Sequence, residues 1–244
     1  MKRVLVLLFG LDSYAIFFAT FLYAIGFVGN LVVPKSIDSG TEESLPLALG
    51  VDVVLLGLFA VQHSIMARPA FKKWWTQFVP QAIERSIFVL VASGILILMY
   101  WLWKPIPAVI WHVENEFAKW VLYGVFAAGW LIVLVSTFLI DHFDLFGVRQ
   151  VVLYFRNKPY EHISFRAPGL YRFVRHPIML GFIIAFWATP HMTAGHLLFA
   201  FATTAYILIA IQLEERDLVT YYGDAYRKYK QQVGMLFPWR SNNK

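Results

Sequence analysis

Apolar residues along this chain gather into six stretches separated by polar segments: 4–33, 47–66, 86–103, 117–140, 178–190 and 195–213. A helix needs about 20 apolar residues to cross a bilayer, which five of the six approach or exceed. The fifth is short, and it reads as half of a hairpin with the sixth. Thr189-Pro190-His191 supplies the turn, because proline favours a helix stop. The first stretch is interrupted by Asp12, and the second carries Asp52 and His63. The N-terminus, MKRVLVLLFG, mimics a secretory signal. The apolar run continues to Val33 without a small-x-small cleavage site, so it reads as an uncleaved first span.

Composition agrees with this pattern. Of 244 residues, 59% are hydrophobic and 15% charged, whereas soluble domains carry about a quarter charged residues. The expected fold is an all-α integral membrane protein with five to six transmembrane helices. The absence of cysteine excludes disulfides, thiolate nucleophiles and zinc–thiolate sites.

Loop charge orients the spans. With the N-terminus inside, the inner segments hold Lys2, Arg3, Arg68, Lys72, Lys73, Arg85, Arg149, Arg156, Lys158, Arg166, Arg172, Arg175 and a basic tail. The outer segments hold Lys35 and Lys104, with Lys119 at a span edge, and also Glu42, Glu43, Glu114 and Glu116. This asymmetry fits the positive-inside rule and predicts both termini and the 141–177 loop to be cytoplasmic. The net charge of +6 is thus accounted for by topology, and no nucleic-acid partner is expected. The lipid bilayer is the expected surrounding partner.

The tail has its own punctuation. Gly223 reads as a helix stop and Asp224 as the next N-cap. Tyr226, Tyr229 and Val233 then recur at spacings of three and four, with Arg227, Lys228 and Lys230 on other faces. That pattern predicts a basic amphipathic helix on the cytoplasmic membrane surface.

Polar groups converge at two places, GLYRFVRHPIMLGF (169–182) and LEERDLVTYYGDAYRKYKQQV (213–233). If the fifth and sixth stretches form a hairpin, both emerge on one side. Arg172, Arg175 and His176 then face Glu214, Glu215 and Asp217. Two readings follow from residue types alone. One is an interfacial salt-bridge network that fixes the hairpin. The other is a pocket for a zwitterionic ligand, in which cations take a carboxylate and glutamates take an amino group or hydroxyls. Paired glutamates at a bilayer boundary are costly without partners under either reading.

RHPIMLG resembles the RHPxYxG motif of the isoprenylcysteine carboxyl methyltransferase family. EERDLVTYYGDAYRKYKQQV resembles that family's glutamate pair with the aromatic-aromatic-glycine step that follows. The resemblance covers roughly residues 120–238. It implies an integral membrane methyltransferase, with 117–244 forming the core that binds S-adenosylmethionine, 1–116 supplying N-terminal spans, and the whole making one domain. The implied cofactor-binding residues are Arg175, His176, Pro177, Met179, Leu180, Gly181, Glu214 and Glu215. Where the family motif carries tyrosine, this chain has Met179. Three further stretches, GNLVVPKSIDSG, HFDLFGVRQV and RHPIMLGFIIAFWATPHMTAGHLLFA, resemble the bacterial methanethiol S-methyltransferase branch, which is related to NnrU-type membrane proteins. That branch implies a small volatile thiol as substrate, methanethiol converted to dimethyl sulfide, in the bacterial inner membrane.

A thiol reacts as its thiolate, so a base is expected near the acceptor. His142, within DHFDLFG, is the preferred base, over Asp141, His63, His191 and His196; Tyr171 is a candidate to orient the thiol. Other acceptors, such as a larger thiol, a lipid or a prenylated cysteine, stay open. So do a transporter or scaffold, and a haem-binding electron carrier, which would need histidines on facing helices. HMTAGH (191–196) spaces its histidines by five, which does not share a helix face as a metal site would, so no metal is expected. The sequence sets no oligomeric state.

Overall fold

The computed structural model describes residues 1–161 and 163–238; the end of the basic tail, 239–244, lies outside the described residues. Five helices are long and apolar enough to span a membrane: α1 (Lys2–Gly29), α2 (Leu45–Ala67), α4 (Gln81–Leu102), α5 (Glu116–Ile140) and α9 (Ala194–Tyr222). Between them lie α3 (Pro69–Trp75), α6 (His142–Leu145), α7 (Val148–Phe155) and α8 (Pro177–Trp187), with α10 (Asp224–Gln232) at the end. Two short strands, Val109–His112 and His191–Thr193, make the one small sheet among the described residues. The chain is an all-α integral membrane protein, as its apolar pattern requires.

The short fifth stretch becomes α8, which has 11 residues. At about 1.5 Å per residue it is roughly 17 Å long, against about 30 Å of hydrocarbon. It therefore reaches only part of the way across. The sixth stretch becomes the 29-residue α9, longer than its apolar run because the helix continues through the charged LEERD segment to Tyr222.

The chain divides into two compact units. The first contains α1 to α4, α7 and the start of α9. Here α1 packs on α4 and α7, and α2 packs on α4. Tyr23, Phe27, Tyr100 and Trp103 interlock through ring contacts at 4.9 to 6.2 Å. Asp52 is fully buried, and its carboxylate accepts the Lys104 N–H at 2.9 Å, satisfying a donor just past the end of α4. In the sequence Asp52 is an oddity within a span; its observed partner is backbone.

The second unit contains α5, a 3₁₀ turn at Gly169–Arg172, α8, the rest of α9 from Ala200, and α10. α5 and α8 cross at glycines. A Cβ at Gly129 would lie 2.7 Å from the Ala185 nitrogen, and one at Gly181 would lie 2.7 Å from the Gly129 carbonyl and 2.9 Å from the Val133 nitrogen. Small residues at such a crossing let helix backbones meet, which is how helices gain packing energy in lipid. On its other side α8 places Met179, Leu180, Phe182 and Ile183 against Ile207, Ile211 and Leu236. The α8–α9 hairpin has a fixed antiparallel register. The Trp187 indole N–H donates to Thr204 Oγ1 at 2.9 Å, and eleven residues back along α8 His176 meets Glu215, eleven residues on along α9.

This packing makes a direct prediction. Gly129→Ala should destabilise the folded protein by about 1–3 kcal/mol, because the new methyl meets backbone that cannot yield. Gly124→Ala on the same helix, where an added Cβ meets nothing within 4 Å, should cause no loss. Thermal unfolding of the two variants in one detergent checks the contrast.

Candidate functional site

The RHP segment is held by backbone before its side chains act. The N–H groups of Arg175 and His176 donate to the carbonyls of Gly234 (2.9 Å) and Met235 (3.2 Å), and Val174 bridges Gly234 in parallel. Pro177 opens α8 at its first position, where the missing N–H costs nothing, and His176 sits at the N-cap. Across the hairpin, α9 ends at Tyr222, and Gly223 takes φ 58° to start α10 in a new direction.

These constraints converge on Glu215, whose side chain is 2% exposed. It accepts from Arg175 Nε at 2.6 Å, Lys230 Nζ at 2.6 Å and His176 Nε2 at 3.1 Å. The Arg175 guanidinium also donates to the carbonyls of Lys230 (3.1 Å) and Val233, so it caps the C-terminus of α10 while pairing Glu215. Glu214 differs. Its side chain is 44% exposed, and Oε2 lies 3.6 Å from His176 Nδ1. The imidazole thus stands between two carboxylates, one buried and one open.

Tyrosines line the same region. The Tyr229 hydroxyl donates to the Tyr171 carbonyl at 2.5 Å, and the Tyr171 hydroxyl donates to the Ser136 carbonyl at 3.4 Å. Phe165 packs on Tyr222, Tyr226 and Tyr229 with centroids 5.2 to 5.7 Å apart. Burial, and then the Glu214 carboxylate, push the Tyr171 phenol above its usual range. Burial, with Glu215 and Glu214, does the same to Tyr226. Burial pushes Tyr229 up to about 12 despite the opposing charge of Arg175.

His142 opens α6, one residue beyond the Asp141 that ends α5, and is buried. Its ring stacks on Phe138, 4.2 Å between centroids and 4° between planes. Thr137 donates its hydroxyl to the Leu134 carbonyl at 2.7 Å, and His142 Nδ1 lies 2.8 Å from the same oxygen. With the Thr137 proton committed, Nδ1 must carry the hydrogen that joins them, which puts the ring's basic lone pair on Nε2. Burial lowers the histidine's hold on an extra proton, partly opposed by Asp141.

The structure therefore brings Arg175, His176, Glu214 and Glu215 together, with Tyr171 beside Glu214. His142 and Tyr171 meet consecutive residues of α5's last turn, Thr137 and Ser136. Met179 and Leu180 pack into the apolar core of the α8–α9 hairpin, and Gly181 lies in the crossing with α5. Arg172 is exposed and outside the ion cluster among the described residues. The expectation that Lys230 lies on a face away from Tyr226 is corrected: it follows Tyr226 by four residues, shares the face that buries that tyrosine, and pairs with Glu215. Among the described residues no group of three or more His, Asp or Glu could hold a metal ion.

These features define a class: an all-helical integral membrane protein with a charged, tyrosine-lined site where a short helix, the end of a long one and an amphipathic tail helix meet. The chain belongs to the NnrU family, whose model, described as NnrU protein, matches residues 53–234. It is 57% identical over 98% of both chains to the methanethiol S-methyltransferase of Mycobacterium tuberculosis (strain ATCC 25618 / H37Rv). It is 56% identical, over 97% of this chain and 91% of the relative, to methanethiol S-methyltransferase 2 of Bradyrhizobium diazoefficiens. It is also 30% identical to nurim of Mus musculus, over 72% of this chain and 70% of that one. No solved structure matches it significantly.

Two outcomes are expected of the ion cluster. Glu215→Gln leaves Arg175 and Lys230 without their carboxylate and should cost about 3 kcal/mol, seen as a lower unfolding temperature. For Tyr229, the unfolded phenol ionises near pH 10, whereas the folded one stays protonated to about 12. The folded state binds the extra proton in that window, so this contribution is complete below pH 10 and is lost as pH rises towards 12. Tyr229→Phe should flatten the difference in stability between pH 9 and 11 by chemical denaturation.

Proposed function

We propose that this protein is an S-adenosylmethionine-dependent methyltransferase that converts methanethiol to dimethyl sulfide. The observation that carries the reading is its 57% identity, over 98% of both chains, to a methanethiol S-methyltransferase. The geometry supports it. A half-open carboxylate, Glu214, beside an imidazole nitrogen and a tyrosine suits the ammonium and hydroxyls of a zwitterionic nucleoside ligand. The donor and acceptor set of this site therefore fits that cofactor.

Bound there, the cofactor supplies an electrophilic sulfonium methyl group. The residues of this chain supply placement and charge. Glu214 and His176 hold the polar end of the ligand. Glu215 acts indirectly, neutralising Arg175 and Lys230 and so keeping His176 in place. His142 acts on the acceptor side as the base, through Nε2, while Tyr171 orients the thiol. With the cofactor bound, its methyl–sulfonium bond would break as the methyl passes to the thiol sulfur, leaving the cofactor as a neutral thioether, and His142 would take up the S–H proton. Much of the acceleration comes from fixed geometry and excluded water. The basic loops 141–177 and the basic tail favour a cytoplasmic site, with both termini cytoplasmic and the bacterial inner membrane as location.

The test uses purified protein in detergent with S-adenosylmethionine and methanethiol, and follows dimethyl sulfide by headspace gas chromatography. Product is expected from the wild type. Glu214→Gln should weaken cofactor affinity about tenfold in calorimetry while unfolding at the wild-type temperature. Cofactor binding without dimethyl sulfide would overturn the acceptor and keep the methyltransferase.

A further inference from the structure

Most buried hydroxyls in the membrane helices satisfy themselves locally. Ser13, Thr20, Ser93 and Thr204 donate to the carbonyl four residues back at 2.7 to 2.8 Å, and Thr137 donates three residues back at 2.7 Å. This local bond is the usual solution for Ser and Thr in a helix. Ser136 departs from it. It is 0% exposed, it lies within α5 with helix carbonyls three and four residues before it, and its Oγ has no hydrogen-bond partner. An unpartnered buried hydroxyl costs about 1–3 kcal/mol. Ser86 is the other such serine among the described residues; it sits in the second turn of α4 against Gly147, where its Oγ would be 2.8 Å from a Cβ.

The place of Ser136 says what the missing partner is. Gly129 and Val133 form the stripe of α5 that meets α8, opposite Ala185 and Gly181. Ser136 continues this stripe at helical spacing. The register is antiparallel, so one further turn along α5 corresponds to one turn back along α8, at Pro177 and Ile178. That is the start of α8, beside His176. The Ser136 carbonyl already accepts the Tyr171 hydroxyl, and Thr137 next to it holds His142. Ser136 thus lies on the turn of α5 whose backbone and neighbour hold Tyr171 and His142, and its register places it opposite the start of α8 beside His176.

We propose that Ser136 is the acceptor-binding residue, its hydroxyl donating to the sulfur of the incoming thiolate. The inference rests on the methyltransferase reading and names a contact of that same site. A hydroxyl is both donor and acceptor. It takes the S–H of the thiol first, and donates its own proton to sulfur once the base has removed that hydrogen. Because α8 already covers Val133 and Gly129, the thiol would reach this hydroxyl from the side of Tyr171 and His142, where only a small acceptor fits beside a fully buried serine.

Ser136→Ala is a sharp test, since it removes an unpartnered buried hydroxyl and leaves a good helix former. The variant should unfold at or above the wild-type temperature and bind S-adenosylmethionine with unchanged affinity in calorimetry. Its KM for methanethiol should rise about tenfold, the scale of one lost hydrogen bond to a charged group, with the KM for S-adenosylmethionine unmoved. Ser136→Thr, which keeps the hydroxyl, should recover most of the loss. A Ser136→Ala enzyme with wild-type KM for methanethiol overturns the inference while leaving the function standing. Equal rises in both KM values also overturn it, as a general disturbance of the site. A wild type that makes no dimethyl sulfide defeats the function itself, and this inference with it.

Discussion

A carboxylate buried away from water must be met by hydrogen-bond donors, and Glu215 has three, from two separate stretches of chain. Arg175 and His176 come from the start of α8, and Lys230 comes from the tail helix. Neither segment could be displaced without leaving buried charge short of a partner. The antiparallel register of the α8–α9 hairpin, the seating of α10 and the backbone clip at Gly234 are consequences of that single requirement. Because α8 is too short to cross the membrane, its position cannot be fixed by hydrophobic matching to both leaflets. It is fixed at its start by charge, and along its length by the glycine crossing with α5.

The neighbouring glutamate has the opposite character. Glu214 and Glu215 are adjacent in sequence and lie about 100° apart around a helix, so one turns into the protein and the other towards solvent. Residue types alone pose a choice between a salt-bridge network and a ligand pocket. In the structure Glu215 builds the network, while Glu214 stays half-exposed with its carboxylate at the histidine's edge, the feature on which the proposed ligand contact rests. The network holds His176 between the two carboxylates.

Much of the fold is legible in the sequence because lipid leaves few options. Long apolar runs mark four of the five spans to within about five residues at each end, and the start of the fifth to within one. Pro177 and Gly223 mark helix boundaries through properties that belong to those residue types alone. The full length of α9 is not legible, because charge usually signals the end of a span, whereas Glu214 to Tyr222 continue the helix beyond the apolar run. The site is half legible. Complementary charges bracketing a hairpin point to Arg175, His176 and the glutamates. Lys230 is hidden because Arg227, Lys228 and Lys230 look alike in sequence, and only the packing of Tyr226 selects one of them. Ser136 is invisible, since a serine in an apolar run gives no sign of whether its hydroxyl bonds its own helix.

Arg175 gives the tail a second meaning. By donating to the carbonyls at the end of α10, it makes the final helix a structural neighbour of the site rather than an appendage on the membrane surface. Shortening the chain before Lys230 would remove the carbonyls that hold the guanidinium, the clip that positions His176 and one of the cations on Glu215, all in one cut. Inactivity after such a cut would carry no information about whether the tail touches substrate. An affinity tag fused there would load the same joint, which makes the amino end the safer handle.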